Sequence, residues 1–260
     1  MIGPALHNIA VTNNPFQYYI APMYSINRQM ISGLADFHYT FLPKRCIKQT
    51  KLGVNARTFK LDDLSPGNND IYTAFTPYLI MKLGNRLRNK PWEHELAFKG
   101  LFRQDEPRSA ANQQSYGAYG NYTLNLFRVD HQWETKIRAD YHRNETLNTN
   151  ATRAMVTSTY RYRYAKNKMK KWVEVRVFAG KVLDIKNQNA TNGLNSFAIS
   201  GSRGAQDLFF DDLFFNRSLI PATEYSQRAS NQGGFSSSSS YGNSTNIMFT
   251  TNLYLDLPVK

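Results

Sequence analysis

"STYRYRYAKNKMKKWVEVRVFAGK", residues 158–181, alternates with a period of two on either side of a short basic turn. Successive side chains of an extended strand point to opposite faces. On the first arm Tyr160, Tyr162 and Tyr164 share a face, and Arg161 and Arg163 take the other. On the second arm Val173, Val175, Val177 and Ala179 stand against Glu174, Arg176 and Phe178. An unpaired charge in a dry sandwich core costs several kcal/mol. The arginine face must therefore meet water. Three environments accept such a hairpin: a soluble sheet with one wet face, a sheet that binds nucleic acid, and a barrel that stands in lipid around a hydrated lumen.

The same two-faced pattern recurs along the chain. Ala35, Phe37, Tyr39 and Phe41 alternate with Asp36, His38 and Thr40. Leu52, Val54 and Ala56 alternate with Lys51, Asn55 and Arg57. Phe249, Thr251, Leu253, Leu255 and Leu257 alternate with Thr250, Asn252 and Asp256. Helical periodicity is almost absent. The pattern predicts ten strands, at 16–25, 30–42, 47–60, 71–83, 93–104, 119–143, 151–165, 171–182, 194–203 and 246–257. Globular strands run about five or six residues, whereas a membrane-crossing strand needs about nine to eleven. These lengths suit a tall barrel. The expected fold is all-β: an antiparallel up-and-down transmembrane β-barrel occupying 1–260 as one domain, and an incomplete one.

Composition narrows the choice. The chain has 260 residues, a formal charge of +13, 16 Tyr and 16 Phe. No run approaches the roughly 18 consecutive apolar residues of a spanning helix. The single cysteine, Cys46, permits no internal disulfide and reads as a small residue beside a turn. "MIGPALHNIAVTNNPF" at the start has neither a basic leader nor an apolar core segment, so either the protein is intracellular or it is part of a longer exported chain that begins upstream.

In the lipid reading, Lys51, Arg57, Arg153, Arg161, Arg163 and Arg176 face the lumen. Leu52, Val54, Val173, Val175, Val177, Leu253 and Leu255 face lipid. Tyr18, Tyr19, Tyr39, Tyr72, Tyr160 and Tyr164 form aromatic girdles at the membrane interfaces. The nucleic-acid reading wants aromatics and cations on one face, so that bases stack while phosphates are neutralised. Here Tyr and Arg fall on opposite faces, and no nucleic-acid partner is expected.

A catalytic set is not visible. "HELAF" at 94–98 has Phe98 where a metalloprotease helix needs its second histidine, and "GSRG" at 201–204 misses a nucleophile elbow. The acid pairs Asp62–Asp63 and Asp211–Asp212 read as solvated loop charge. Six glycosylation-like triplets, at Asn121, Asn144, Asn150, Asn189, Asn216 and Asn243, are expected by chance in so Asn- and Thr-rich a chain. Catalytic, cofactor and metal residues are accordingly expected to be absent. An integral outer-membrane hydrolase with its active site at the rim is the alternative, and a soluble basic β-protein that binds nucleic acid comes third.

The wording of several segments carries a resemblance. "FQYYIAPMYSINRQMISGLADFHYTFLP" (16–43), "WVEVRVFAGKVL" (172–183), "SGSRGAQDLFFDDLFFNRS" (200–218), "NQGGF" (231–235) and "TNLYLDLP" (251–258) are involved. Together they resemble the C-terminal outer-membrane barrel region of large exported Bacteroidota proteins. In those proteins a periplasmic enzyme-like domain, often zinc-metallopeptidase-like, precedes the barrel. The resemblance implies a porin-like barrel or anchor in a Gram-negative outer membrane. Its implied partners are the lipid and lipopolysaccharide around it and an upstream periplasmic domain of the same protein. It carries over no functional residue. The chain departs from the pattern at "YLDLPVK", where such barrels commonly end on an aromatic strand, so further strands are expected after it.

Connection lengths predict orientation, because periplasmic turns are short and outer loops long. With ten strands, 26–29, 61–70, 105–118, 166–170 and 204–245 share one side, and 43–46, 84–92, 144–150 and 184–193 the other. The first set holds the longest, so 204–245, with its Gly/Ser-rich "NQGGFSSSSSYGNS", is expected outside the cell.

Overall fold

The computed structural model describes residues 2–8, 14–26, 30–43, 46–60, 71–84, 91–106, 112–165, 171–187, 197, 209 and 244–256. They form one antiparallel sheet, and no α-helix occurs among the described residues. The strands are β1 (Leu6–His7), β2 (Phe16–Ser25), β3 (Met30–Phe41), β4 (Ile47–Lys60), β5 (Ile71–Leu83) and β6 (Trp92–Glu106). They continue with β7 (Gln113–Phe127), β8 (His131–Asn144), β9 (Thr149–Ala165), β10 (Lys171–Lys186) and β11 (Ile247–Leu255). Spatial order equals chain order, so every strand pairs with its sequence neighbour.

The hairpin at 158–181 forms as its alternation requires. Tyr160 pairs with Val175 and Tyr162 with Val173, while Arg161 pairs with Glu174. Directly paired residues share a face, so the two-residue period fixes the register: a one-residue slip would carry every valine among the arginines. Burial separates the faces. On β10 Phe178, Gly180 and Val182 are buried, whereas Val175, Ala179, Lys181 and Leu183 are exposed. The more buried face is termed inner and the other outer.

Three features depart from the expected strand plan. The segment 119–143 is two strands: β7 ends at Phe127, β8 begins at His131, and Arg128 donates its N–H to the His131 carbonyl at 3.0 Å. β1 adds a short edge before the first expected strand. Within 194–203 only Phe197 is described, making an isolated bridge to Ser244.

These changes move connections between rims. The first rim carries the connections β2–β3, β4–β5, β6–β7, β8–β9 and β10–β11. The second carries β3–β4, β5–β6, β7–β8 and β9–β10. The turn at 145–148 and the link at 166–170 thus exchange sides relative to the expectation. The connection from Lys186 to Ile247 stays with 26–29 and 61–70, because the extra strand at 119–143 shifts the count by one and 194–203, apart from Phe197, lies outside the described residues.

The sheet is open, as expected for an incomplete barrel. β1 and β11 are its edges, and alternation of direction over eleven strands makes them run the same way. Direct closure of these edges would be parallel; antiparallel closure needs an odd number of added strands, or displacement of β1.

Candidate functional site

The outer face is apolar over a long band. Near the second rim the register aligns Trp92, Leu126, Trp133, Tyr160, Val175 and Leu253 in one row. Trp92 and Trp133 pack edge-on at 6.0 Å across Leu126. Toward the first rim Phe75, Phe102 and Tyr116 form another row, with centroids 6.4 and 5.8 Å apart. Trp92 and Phe102 lie on the same strand. At about 3.3 Å per residue their separation is ~33 Å along the strand, and a tilt of about 40° makes that about 25 Å of height.

Between such rows outer charge is confined to β10, at Lys181 and Asp184, among the described residues. β2, β3, β5, β7, β9 and β11 place no Asp, Glu, Lys or Arg on the outer face. β8 presents Trp133, Thr135, Ile137, Ala139 and Tyr141 before Arg143, its outer residue closest to the first rim. β10 presents Val173, Val175, Val177 and Ala179 before Lys181. Much of the band is bare: Phe249 is 70% exposed, Leu253 68% and Ile137 48%.

The inner face is its opposite. On β8 every inner residue is polar: Gln132, Glu134, Lys136, Arg138, Asp140, His142 and Asn144. One inner row crosses nine strands, through Gln17, His38, Gly53, Tyr78, Lys99, Tyr119, Asp140, Arg153 and Val182. At Gly53 a Cβ would lie 2.5 Å from the Tyr78 ring. Glycine there lets Tyr78 lie across β4 and direct its hydroxyl to both Asp36 oxygens, each at 3.1 Å. His38 bridges Asp36 at 2.7 Å and Gln17 at 2.9 Å.

Cations of this wall are engaged with anions and rings. Arg153 makes a bidentate pair with Asp140, at 2.8 and 3.1 Å, and both side chains are buried. Arg138 approaches the same carboxylate at 3.4 Å. Arg103 pairs with Asp105 at 2.6 Å and stacks 5.3 Å from the Tyr72 ring. Lys51 and Lys99 sit over Tyr78 and Tyr119, at 5.9 and 5.6 Å. Nearer the second rim Arg161 pairs with Glu174, Arg176 donates to Asn252 at 3.3 Å, and Lys136 pairs with Glu134 at 2.9 Å.

All six sequence-predicted basic residues, Lys51, Arg57, Arg153, Arg161, Arg163 and Arg176, lie on the inner face. Leu52, Val54, Val173, Val175, Val177, Leu253 and Leu255 lie on the outer face. Of the tyrosines assigned to girdles, Tyr18, Tyr39, Tyr160 and Tyr164 are outer. Tyr19 and Tyr72 are not, and their girdle assignment is corrected. Tyr19 pairs with Asp36 on the inner face, since it follows Tyr18 directly and must point the other way. Tyr72 is 5% exposed and packs inside with Ala74, Leu101, Tyr119 and Phe209.

Sequence reasoning missed Asp140, Arg138, Phe197 and Phe209. The last two are buried residues of the β10–β11 connection. Phe209 falls within 204–245, so that segment is not wholly a loop clear of the sheet.

Among the described residues no group of three His, Cys, Asp or Glu side chains could hold a metal ion. The pair His38–Asp36 has Gln17 at the remaining ring nitrogen, and His131–Asp130, at 2.9 Å, lies at the β7–β8 turn. No family model, curated protein or solved structure matches this chain.

Proposed function

We propose that this chain is a β-barrel segment of a Gram-negative outer membrane, acting as an anchor or pore-like scaffold for a larger exported protein. The observation that carries the reading is the apolar outer band of about 25 Å between aromatic rows, broken by charge only at Lys181 and Asp184 of β10 among the described residues, and backed by a charged inner wall. In water, contiguous apolar surface beyond a few hundred Å² is a liability. In lipid the same surface is solvated, and the inner charges stay hydrated. The resemblance to the barrel regions of exported Bacteroidota proteins supports the same reading, with lipid and lipopolysaccharide as neighbours and an upstream periplasmic domain as the cargo. The first rim, which carries the β10–β11 connection, would face outward. The reading assigns no catalytic step to these residues.

Lipid also bears on the edges. An unpaired backbone edge in hydrocarbon costs several kcal/mol per unsatisfied group. The edges β1 and β11 would therefore be completed by further strands in the membrane.

Tryptophan quenching tests the proposal. Trp92 and Trp133 are outer, and Trp172 sits next to outer Val173 on the inner face. Folded into vesicles with brominated acyl chains, the protein should lose most Trp92 and Trp133 emission. A W92F/W133F variant, reporting Trp172 alone, should be quenched far less. Equal quenching of both proteins, or a protein that stays in the aqueous phase, defeats the membrane assignment.

A further inference from the structure

Two phenylalanines of the β10–β11 connection are seated on the inner wall, on separate strands. Phe209 is 1% exposed and meets Tyr119 edge-on at 4.7 Å. Arg138 lies against both rings, 3.9 Å from the Tyr119 centroid and 5.2 Å from that of Phe209. Gly117 makes the space, since a Cβ there would stand 3.0 Å from the Phe209 ring. Phe197 is fully buried on β10, edge-on to Phe178 at 5.7 Å and 5.8 Å from the Arg153 guanidinium. Gly180 makes that space, because its Cβ would come within 2.7 Å of the Phe197 ring. Backbone bonds of 2.8 and 2.9 Å to Ser244 hold Phe197 at the base of the connection.

Each socket is thus a glycine floor, an aromatic wall and an arginine. The arginines are not independent, for Arg138 and Arg153 share Asp140, whose side chain is 2% exposed. Cation–π attraction strengthens as the cation is desolvated, and a guanidinium keeps its orientation only while its carboxylate holds it.

We propose that the two sockets form one latch. Asp140 positions both arginines, the arginines hold Phe197 and Phe209, and the β10–β11 connection is fastened to the inner wall at two points that release together. The latch does not depend on the membrane reading, because it is built within the sheet and can be tested in detergent.

The test is limited trypsin digestion of the full chain folded in detergent micelles, followed by mass spectrometry. Arg203 and Arg217 flank Phe209, and Arg228 lies farther along the connection. Cleavage through local opening tracks the population of the open form. F209A should speed cleavage at Arg203 and Arg217 about tenfold relative to Arg228. F197A, which alters only the other socket, should speed the same two sites about threefold, and D140N should do so at least as much as F197A. Heat-dependent electrophoretic mobility reports that each variant is folded. Where an alanine variant fails to fold, F209L and F197L replace it, since leucine fills volume without offering a ring to the arginine. A folded F209 variant with unchanged cleavage overturns the latch. Acceleration by F209A with none from F197A overturns the coupling through Asp140.

Discussion

The two faces of this sheet are made by the same strands, yet they are held in order by different physics. The outer face is held by ring contacts such as Trp92–Trp133 and by a few hydrogen bonds without charge pairing, such as Trp133 to Ser158, and it carries little charge. The inner face is a network in which Asp140 binds two arginines and Asp36 gathers Tyr78 and His38. A face in contact with lipid tolerates exchange of one apolar residue for another, and rejects charge. A face with buried ion pairs tolerates little exchange of partners, because removing one leaves the other uncompensated. Position along the chain therefore says little about sensitivity here. Parity within a strand decides which of the two rules applies.

The sharpest break in that comparison should come from the inner centre. Asp140→Ala leaves Arg138 and Arg153 without their shared carboxylate at a site where its side chain is 2% exposed. The expected loss is about 3–5 kcal/mol, the cost of removing one partner of a buried pair. Urea unfolding of the protein from lipid vesicles measures it. A loss under about 1 kcal/mol would show that water screens this wall as it screens a surface.

One residue off in parity, the rule changes sign. Ile137 is an outer residue of β8, 48% exposed, between Tyr122 and Val156. Ile137→Arg should cost roughly 2–4 kcal/mol if that position lies near the midplane of a bilayer. Under the membrane proposal Ile137→Val should be nearly silent, since lipid would replace whatever contact is lost. Ile247→Arg, at the end of β11 beside the first rim, separates the causes in the same unfolding experiment, since the penalty for charge falls toward the interface. A penalty as large at Ile247 would trace to the sheet itself and not to lipid.

The facing of side chains was legible in the sequence because a strand has only two faces. Tyr160, Arg161 and Val175 need nothing but the period to be placed. The boundary between β7 and β8 was also written there, though as a phase slip. Tyr122, Leu124 and Leu126 hold outer positions at even numbers, whereas Trp133, Ile137 and Tyr141 hold them at odd numbers. No single strand can change parity without a turn or bulge. The turn itself, Arg128–Val129–Asp130, lacks the glycine or proline that ordinarily marks one, and its short hairpin closes through Arg128 and His131 instead. By contrast, the turn after β8 is locally encoded: Asn144 accepts the Leu147 N–H at 2.9 Å, and Asn148 takes a positive φ of 50°. The latch sockets were out of reach. Phe197 lies in 194–203, which its pattern marked only as a strand, Phe209 sits in the aperiodic "QDLFFDDLFFNRS", and only the fold brings them to Gly180 and Gly117. Tyr19 and Tyr72 show the complementary error, in which residue type was allowed to outweigh parity.

The smallest expected effect tests whether the inner wall is uniform from its centre to its rim. Arg161 and Glu174 form an ion pair on the same face as Asp140 and Arg153, and by residue type the two pairs are alike. Their surroundings differ: the Arg161 side chain is 52% exposed, that of Arg153 only 5%. Water near the second rim reaches the Arg161 guanidinium and screens the attraction, although the Glu174 side chain is only 19% exposed, so less is left for the pair to contribute. Arg161→Ala should cost about 0–1 kcal/mol, and that cost should fall further as salt is raised. In the variant Glu174 keeps Arg176, two residues on along the same face of β10, as a neighbouring cation. A cost for Arg161→Ala close to that of Asp140→Ala, insensitive to salt, would show that the dry region of the wall extends to the rim.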